Sequence, residues 1–143
     1  MIEVYKKIFE ISIDTVIICD DQANILYVND AFTENTGYTP QEVIGKNPRI
    51  MKGDNADELT DYKGMWDVLA RGEEWSGEMY NKDKFGDHFW EFARIASVRD
   101  SEGTLYYVGV KQNITKLKAL EDKLSCLYDK VERVSHKTEQ VKE

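Results

Sequence analysis

The sequence predicts an α+β domain: a five-stranded antiparallel sheet with short helices on one face, preceded by an amphipathic helix and followed by a coiled-coil helix. Two short runs of β-branched and aromatic residues precede a block of helix caps, and three longer runs follow that block. Such an order is typical of an antiparallel sheet whose helices gather on one side. We therefore divide the chain into a flanking helix (1–13), a core domain (14–115) and a terminal coiled-coil helix (116–143).

The N-terminal segment begins with a short amphipathic helix and continues into a hairpin. Apolar side chains recur at helical spacing at Ile2, Tyr5, Ile8 and Phe9. A helix this short needs a partner surface to be stable. The runs TVIICD and NILYVND then flank a polar turn that starts at Asp20, which predicts two antiparallel strands.

Helix signals fill the middle of the chain. Asn29 is a candidate cap for a short helix that Gly37 ends, and the stretch 39–42 has the Thr, Pro and Glu of a capping box. The longest core helix is predicted over 57–71, with Gly72 as its stop. Its apolar face comprises Leu59, Tyr62, Trp66 and Leu69.

Three strand-like runs follow, at 74–81, 88–99 and 104–112. Polar segments at 82–87 and 100–103 separate them, and each has a glycine suited to a turn. The three runs therefore predict an antiparallel meander that completes the sheet.

The last segment repeats apolar residues in steps of three and four without a break. The repeat comprises Leu117, Leu120, Leu124, Leu127, Val131, Val134, Thr138 and Val141. Pairing with the same helix of a second copy buries such a seam, so we expect a homodimer. Lys116 and Glu121 flank the seam where parallel partners attract. The alternative is that this helix folds back on its own domain.

Composition excludes several functional classes. Nineteen basic residues against 27 acidic ones give a net charge of −8, which disfavours nucleic acid binding. No apolar run approaches the roughly 20 residues that span a bilayer, and the first residues lack a signal-peptide core. Cys19 and Cys126 have neither disulfide nor zinc spacing. We expect a cytoplasmic protein with no direct membrane contact and no bound metal.

The residues also indicate no enzyme activity. The chain has no nucleophile elbow, no phosphate-binding glycine loop and no metal-ligand pair. Val134 to Lys137 partly matches the phospho-accepting box of sensor kinases, but the acidic residue and the proline expected after His136 are absent. An exposed helix position is the simpler interpretation of this histidine.

Four segments together resemble PAS domains over residues 14–115. They are NDAFTENTGYTPQEVIGKNPRIMK from Asn29, WSGE from Trp75, NKDKFGDHFWE from Asn81 and YYVGVKQNIT from Tyr106. Each is weak evidence alone, but all four occur in the family's order and spacing. The resemblance implies a PAS sensor that binds a small ligand and relays the signal through a dimeric coiled coil to an effector. The parent would be a bacterial or archaeal signalling protein, such as a sensor histidine kinase or a cyclic-dinucleotide enzyme.

The resemblance also implies a signal junction. Asn113, Ile114 and Thr115 stand where PAS sensors commonly have Asp-Ile-Thr, between the last strand and the signal helix. Asparagine in place of aspartate keeps a hydrogen-bond acceptor but loses its charge. The same residues also suit a simple cap between strand and helix. A ligand-free PAS module that only dimerises remains the alternative to a sensor.

The subset most similar to this chain comprises the light-oxygen-voltage and redox-flavin members. Pro48 replaces their adduct-forming cysteine, so the resemblance implies no cysteine photochemistry. Residues that match flavin-contacting positions are Asn47, Arg49 and Asn81, together with Glu91 and Lys111. Redox-flavin members also carry a tryptophan near the W-x-G turn, for which Trp66 and Trp75 are candidates. Glu91 and Lys111 stand where those members have amide side chains. An amide both donates and accepts hydrogen bonds, whereas the carboxylate of Glu91 only accepts them and the ammonium of Lys111 only donates them.

Several occupants of this cavity stay open at this stage. FAD is the cofactor that the flavin resemblance implies, whereas both tryptophans also suit ordinary core packing. Glu91 and Lys111 could instead pair with each other across neighbouring strands. A small carboxylate held by Arg49, Lys111 or Arg94 is another alternative, as is an empty core. Haem is disfavoured because helix 57–71 has no histidine, and His88 is expected to be exposed.

Overall fold

The computed structural model describes residues 1–142, with side-chain environments through residue 141. Its five strands form one antiparallel sheet. They are β1 (Thr15–Cys19), β2 (Ile25–Val28), β3 (Trp75–Lys82), β4 (His88–Arg99) and β5 (Leu105–Asn113). Their spatial order is β2-β1-β5-β4-β3, so the first and last strands of the sequence pair at the centre. The predicted five-stranded antiparallel sheet is confirmed, and β4 has the predicted bounds.

The helices confirm the α+β class. They are α1 (Ile2–Ile11), α2 (Asp30–Thr36), α3 (Pro40–Val43), α4 (Ala56–Leu59), α5 (Tyr62–Ala70) and α6 (Thr115–Lys142), with a short 3-10 helix at Pro48–Met51 that was not predicted. The chain separates into two compact units, one ending at Asn113 and one beginning at Ile114. The short helices between β2 and β3 all belong to the first unit.

Asn29 joins the N-terminal helix, the first strand and α2. Its Oδ1 accepts hydrogen bonds from the amides of Val16 and Phe32, at 2.9 and 3.1 Å. Its Nδ2 donates to the carbonyls of Phe9 and Asp14, at 2.8 and 2.9 Å. The side chain is buried, so these four bonds fix where β2 ends and α2 begins.

The single helix predicted over 57–71 is wrong, because the chain leaves helical geometry at Thr60. Thr60 is extended, with φ −131° and ψ 130°, and its hydroxyl donates to the carbonyl of Glu78 at 2.7 Å. Asp61 then caps α5 by accepting a bond from the amide of Gly64. The predicted apolar face is split as a result: Leu69 is buried, whereas Leu59 and Trp66 are 52% and 42% exposed.

Two apolar clusters fill the space between the sheet and the short helices. The first centres on Phe32, Ile25 and Val43 beside β1 and β2. The second groups Met65 and Leu69 of α5 with Met79 and Ala93 of the sheet. Tyr107 packs partly against both clusters, so β5 connects the two halves of the core.

Gly37 ends α2 and lies under the tip of the β3–β4 hairpin. Its φ is +74°, and a Cβ built there would lie 2.7 Å from a ring carbon of Phe85. We expect Gly37→Ala to lower the free energy of unfolding by about 2 kcal/mol, partly through left-handed backbone strain and partly through this clash. Urea unfolding followed by circular dichroism measures the change.

Gly45 supplies the matched control. Its φ is +86°, yet a Cβ there meets nothing within 4 Å, so Gly45→Ala reports the backbone strain alone. Gly37→Ala should cost more than Gly45→Ala, and Phe85→Ala in the Gly37→Ala background should recover the difference. Equal costs for the two alanine variants would contradict the packing of Phe85 on Gly37.

Candidate functional site

A cavity of about 320 Å³ lies between the inner face of the sheet and the short helices. Its apolar wall comprises Ile17, Met65, Trp66, Leu69, Met79, Ile95 and Tyr107. Its polar side chains are Asn47, Arg49, Lys52, Asn81 and Lys111, together with those of Cys19 and Tyr62. The volume and the mixture of apolar walls with few polar groups are typical of a small-molecule site.

A polar cluster of Asn81, Glu91 and Lys111 is buried on three neighbouring strands. Glu91 on β4 lies opposite Met79 on β3 and Asn113 on β5. Asn81 and Lys111 are each two residues from one of these partners, so the side chains of Asn81, Glu91 and Lys111 lie on the same face of the sheet. Asn81 donates through Nδ2 to Glu91 Oε1 at 2.6 Å, and Lys111 Nζ lies 4.0 Å from the same oxygen. Glu91 and Lys111 are 3% and 6% exposed.

The cluster has unused hydrogen-bonding capacity. The second carboxylate oxygen of Glu91, Oε2, is buried and has no hydrogen-bond partner. The 4.0 Å separation makes Glu91 and Lys111 an ion pair but is too long for a direct hydrogen bond. A buried acceptor without a partner is costly, so this group is suited to a ligand or water that donates a hydrogen bond.

A second polar group comes from the 3-10 helix and the segment after it. Asn47 caps this helix by accepting a bond from the amide of Arg49 at 2.9 Å. Lys52 forms an ion pair with Asp57 and lies 4.1 Å from the centre of the Tyr62 ring. The sequence did not lead us to predict Lys52 or Tyr62 as cavity residues, although Lys52 is the last residue of the PAS-like segment that begins at Asn29.

The two candidate tryptophans have different environments. Trp66 lines the cavity and meets Tyr107 edge to face, with ring centres 5.3 Å apart. Trp75 is absent from the cavity wall and packs against the cluster of Met65, Leu69 and Met79. Of the seven predicted site residues, Trp75 and Glu91 do not line the cavity, and Glu91 reaches it only through Asn81 and Lys111.

Cys19 lines the cavity, which sequence reasoning did not anticipate. Burial raises the pKa of its thiol to about 11, an effect that the charge of Lys111 partly offsets. The thiol therefore stays protonated and unreactive near neutral pH. We expect iodoacetamide at pH 8 to label the exposed Cys126 in the folded protein and to spare Cys19 until urea is added. Equal labelling of both without urea would contradict this environment.

His88 is more enclosed than predicted. Its ring stacks on Tyr80 with centres 4.8 Å apart, and its side chain is only 25% exposed. Its Nε2 accepts a hydrogen bond from the amide of Asp54 at 3.1 Å. The expectation of an exposed histidine is therefore wrong, because the aromatic ring of the neighbouring strand covers one face of it.

The predicted junction and seam residues occupy the end of β5 and the terminal helix. Asn113 is the last residue of β5 and donates to Asn35 Oδ1 at 3.4 Å, while Asn35 donates to Thr15 at 3.1 Å. Ile114 is buried, and Thr115 is the first residue of α6. The apolar seam residues of α6 are between 53% and 86% exposed within the single chain. Their roles in relay and dimerisation stay predictions.

Residues 1–142 contain neither a membrane-spanning helix nor a metal-binding group of side chains. No helix in this range is long and apolar enough to cross a membrane. No group of three His, Cys, Asp or Glu side chains among these residues is placed to hold a metal ion.

Comparisons with known proteins find relatives that share part of their sequence with this chain. The chain is 30% identical over 108 residues to the bacterioopsin transcriptional activator of Halobacterium salinarum, a match that covers 73% of this chain and 16% of that protein. It is 31% identical over 101 residues to phototropin-2 of Oryza sativa subsp. japonica, covering 69% of this chain and 11% of that protein. The chain thus spans less than a fifth of the length of either relative.

A solved structure shares the fold. The structure of an RNA-binding light-oxygen-voltage receptor superposes with a TM-score of 0.77 at 22% identity, covering 90% of this chain and 37% of that one. The sequence pattern of the PAS domain family matches residues 13–116. This range contains the whole sheet, the short helices and the cavity between them. The chain belongs to the PAS domain family, whose members occur as sensor domains in signal-transduction proteins.

Proposed function

We propose that this PAS domain is a sensor whose cavity binds a flat, largely apolar ring with a polar edge, and that oxidised flavin, as FAD, is that ligand. The chain itself is not an enzyme. It acts in the cytoplasm, where its two free cysteines stay reduced, and relays ligand binding through α6 to an effector.

The single observation that carries this proposal is that Asn81 and Lys111, both held by buried Glu91, present polar groups on an otherwise apolar cavity wall. The pyrimidine edge of a flavin presents an N–H between two carbonyl groups. Asn81 Oδ1 is suited to accept from that N–H, because its Nδ2 donates to Glu91, and the ammonium of Lys111 is suited to donate to an adjacent carbonyl. The residues present therefore fit the ring edge although they differ from the amides of flavin-binding members.

The remaining walls suit the rest of such a ligand. Met65, Leu69 and Met79 offer an apolar surface to a flat ring, and Trp66 offers an aromatic edge. Arg49 and Lys52 supply positive charge for a phosphate-bearing chain. A bound flavin would supply reversible electron transfer, and the three polar side chains on the sheet would hold and orient its edge.

Gly109 allows a sharp test, because it lines the cavity from β5. A Cβ there makes only ordinary contacts, 3.7 Å to Ile95 and 3.9 Å to Lys111, so Gly109→Ala fits and Gly109→Leu projects into the cavity. We expect FAD to bind the wild type and Gly109→Ala with quenching of the tryptophan fluorescence. Gly109→Leu should bind at least about tenfold more weakly.

The outcomes separate the sensor from its alternative. Equal FAD binding by the alanine and leucine variants would place the ligand outside this cavity. Absence of FAD binding by the wild type, with no small molecule released on denaturation, would leave a ligand-free dimerisation module. Unfolding midpoints of both variants, measured in parallel, show whether each keeps its fold.

A further inference from the structure

We infer that Asp57 limits the affinity of the cavity for phosphate-bearing ligands, because its carboxylate competes with the ligand for the ammonium of Lys52. In the free protein Asp57 pairs with Lys52. When a ligand binds, its phosphate takes the place of this carboxylate. The inference rests on the proposed function and adds a residue outside the cavity wall that sets the preference of the site for charged ligands.

The charged side chains on the cavity wall are all cationic. They are Arg49, Lys52 and Lys111, and no Asp or Glu among the described residues lines the cavity. The two lysines each pair with a carboxylate that lies off the wall, Lys111 with Glu91 and Lys52 with Asp57. The wall therefore favours an anionic ligand, and the two ion pairs decide how much of its positive charge such a ligand meets.

The two ion pairs differ in how readily they exchange partners. Glu91 is 3% exposed, so its carboxylate would stay buried without a cation if Lys111 moved away. The side chain of Asp57 is 75% exposed, so water hydrates its carboxylate as soon as Lys52 leaves. Lys52 is therefore the cation that can transfer from its own carboxylate to a ligand, whereas Lys111 stays with Glu91.

The backbone at Lys52 is fixed, so only its side chain has to move. Lys52 lies opposite Asn81 in an isolated β-bridge, and the amide of Gly53 donates to the carbonyl of Tyr80 at 2.9 Å. A Cβ at position 53 would lie 2.6 Å from that carbonyl oxygen, so glycine permits this close approach. The Lys52 ammonium lies 4.1 Å from the ring centre of Tyr62, another wall residue, and reaches a ligand by side-chain rotation alone.

Removing the carboxylate of Asp57 should strengthen the binding of phosphate-bearing ligands only. FAD and riboflavin have the same ring, but FAD carries a pyrophosphate and riboflavin carries no phosphate. We expect Asp57→Asn to lower the dissociation constant for FAD about fivefold, the upper range for an exposed ion pair, and to change that for riboflavin by less than about twofold. Isothermal titration calorimetry of the flavin-free full chain measures both constants.

Two further variants separate this competition from other effects. Glu58→Gln removes the same charge from the next residue of α4, which is also exposed, whereas the Lys52 ammonium pairs with Asp57. This variant should change the FAD constant by less than about twofold. Lys52→Gln should raise the FAD constant about fivefold, and adding Asp57→Asn to it should have no further effect, because the competition needs the lysine.

The outcomes distinguish this inference from the proposed function. A wild type that binds neither FAD nor riboflavin overturns both. Binding of FAD by the wild type, with an equal constant for Asp57→Asn, overturns the competition and keeps the flavin site. An equal gain for FAD and riboflavin, or an equal gain from Glu58→Gln, also overturns the competition, since neither depends on exchange of Lys52 between a carboxylate and a phosphate. Unfolding midpoints of all variants show whether each keeps its fold.

Discussion

Replacing Asn29 with alanine is expected to lower the free energy of unfolding by about 3 kcal/mol. The substitution removes four hydrogen bonds and leaves the amides of Val16 and Phe32 without a partner in a buried environment. It also removes the hydrogen bonds from Asn29 to the carbonyls of Phe9 and Asp14, which tie α1 and the segment after it to the start of α2. Urea unfolding monitored by circular dichroism gives the change directly.

Asn24 is the matched control for this loss. It is also an asparagine, but its side chain donates a single bond, to Asp20 at 3.2 Å on the hairpin turn. Asn24→Ala should cost less than about 1 kcal/mol. Equal losses for the two variants would show that Asn29 does not organise the N-terminal half of the domain as its four bonds indicate.

Replacing Lys111 alone should cost about 3 kcal/mol, although the lysine forms no direct hydrogen bond with Glu91. Lys111→Met leaves the carboxylate of Glu91 buried with one hydrogen bond from Asn81 and no compensating charge. Replacing both charged residues, as Glu91→Gln with Lys111→Met, removes the uncompensated charge. We expect this double variant to recover to within about 1 kcal/mol of the wild type.

A double-mutant cycle on these two positions measures their coupling. The free energies of unfolding of both single variants and the double variant give it from one set of urea titrations. A Lys111→Met cost below about 1 kcal/mol, or additive losses in the double variant, would show that the two charges do not depend on each other. Tyr107→Phe, which keeps the cavity wall and removes no charge, is the control.

Much of the fold could be predicted because its signals are local. Asn29, Gly37 and the capping box at Thr39 lie at the helix ends where the sequence places them, since the capping bond of each joins groups no more than four residues apart. The break at Thr60 could not be predicted in this way. It depends on a hydrogen bond to Glu78 on β3, a strand that lies beyond the whole of α5.

The site was predictable only where the resemblance supplied positions. Asn81, Glu91 and Lys111 were named from matching segments, but the unpaired Oε2 of Glu91 depends on strand register and side-chain packing. Cys19 and Lys52 were missed as wall residues because nothing in their local sequence distinguishes a cavity wall from an ordinary strand or loop. Trp75 was named because of its motif, whereas its ring packs against Met65, Leu69 and Met79 and does not itself line the cavity.

We propose above that the cavity over Asn81, Glu91 and Lys111 holds a flat ring ligand. The most direct measurement is the absorption spectrum of the purified wild type beside Gly109→Leu, with mass analysis of whatever each releases on denaturation. We expect the visible bands of oxidised flavin and released FAD from the wild type, and neither from Gly109→Leu. A colourless wild type that releases nothing and gains no flavin bands after incubation with FAD would contradict the claim.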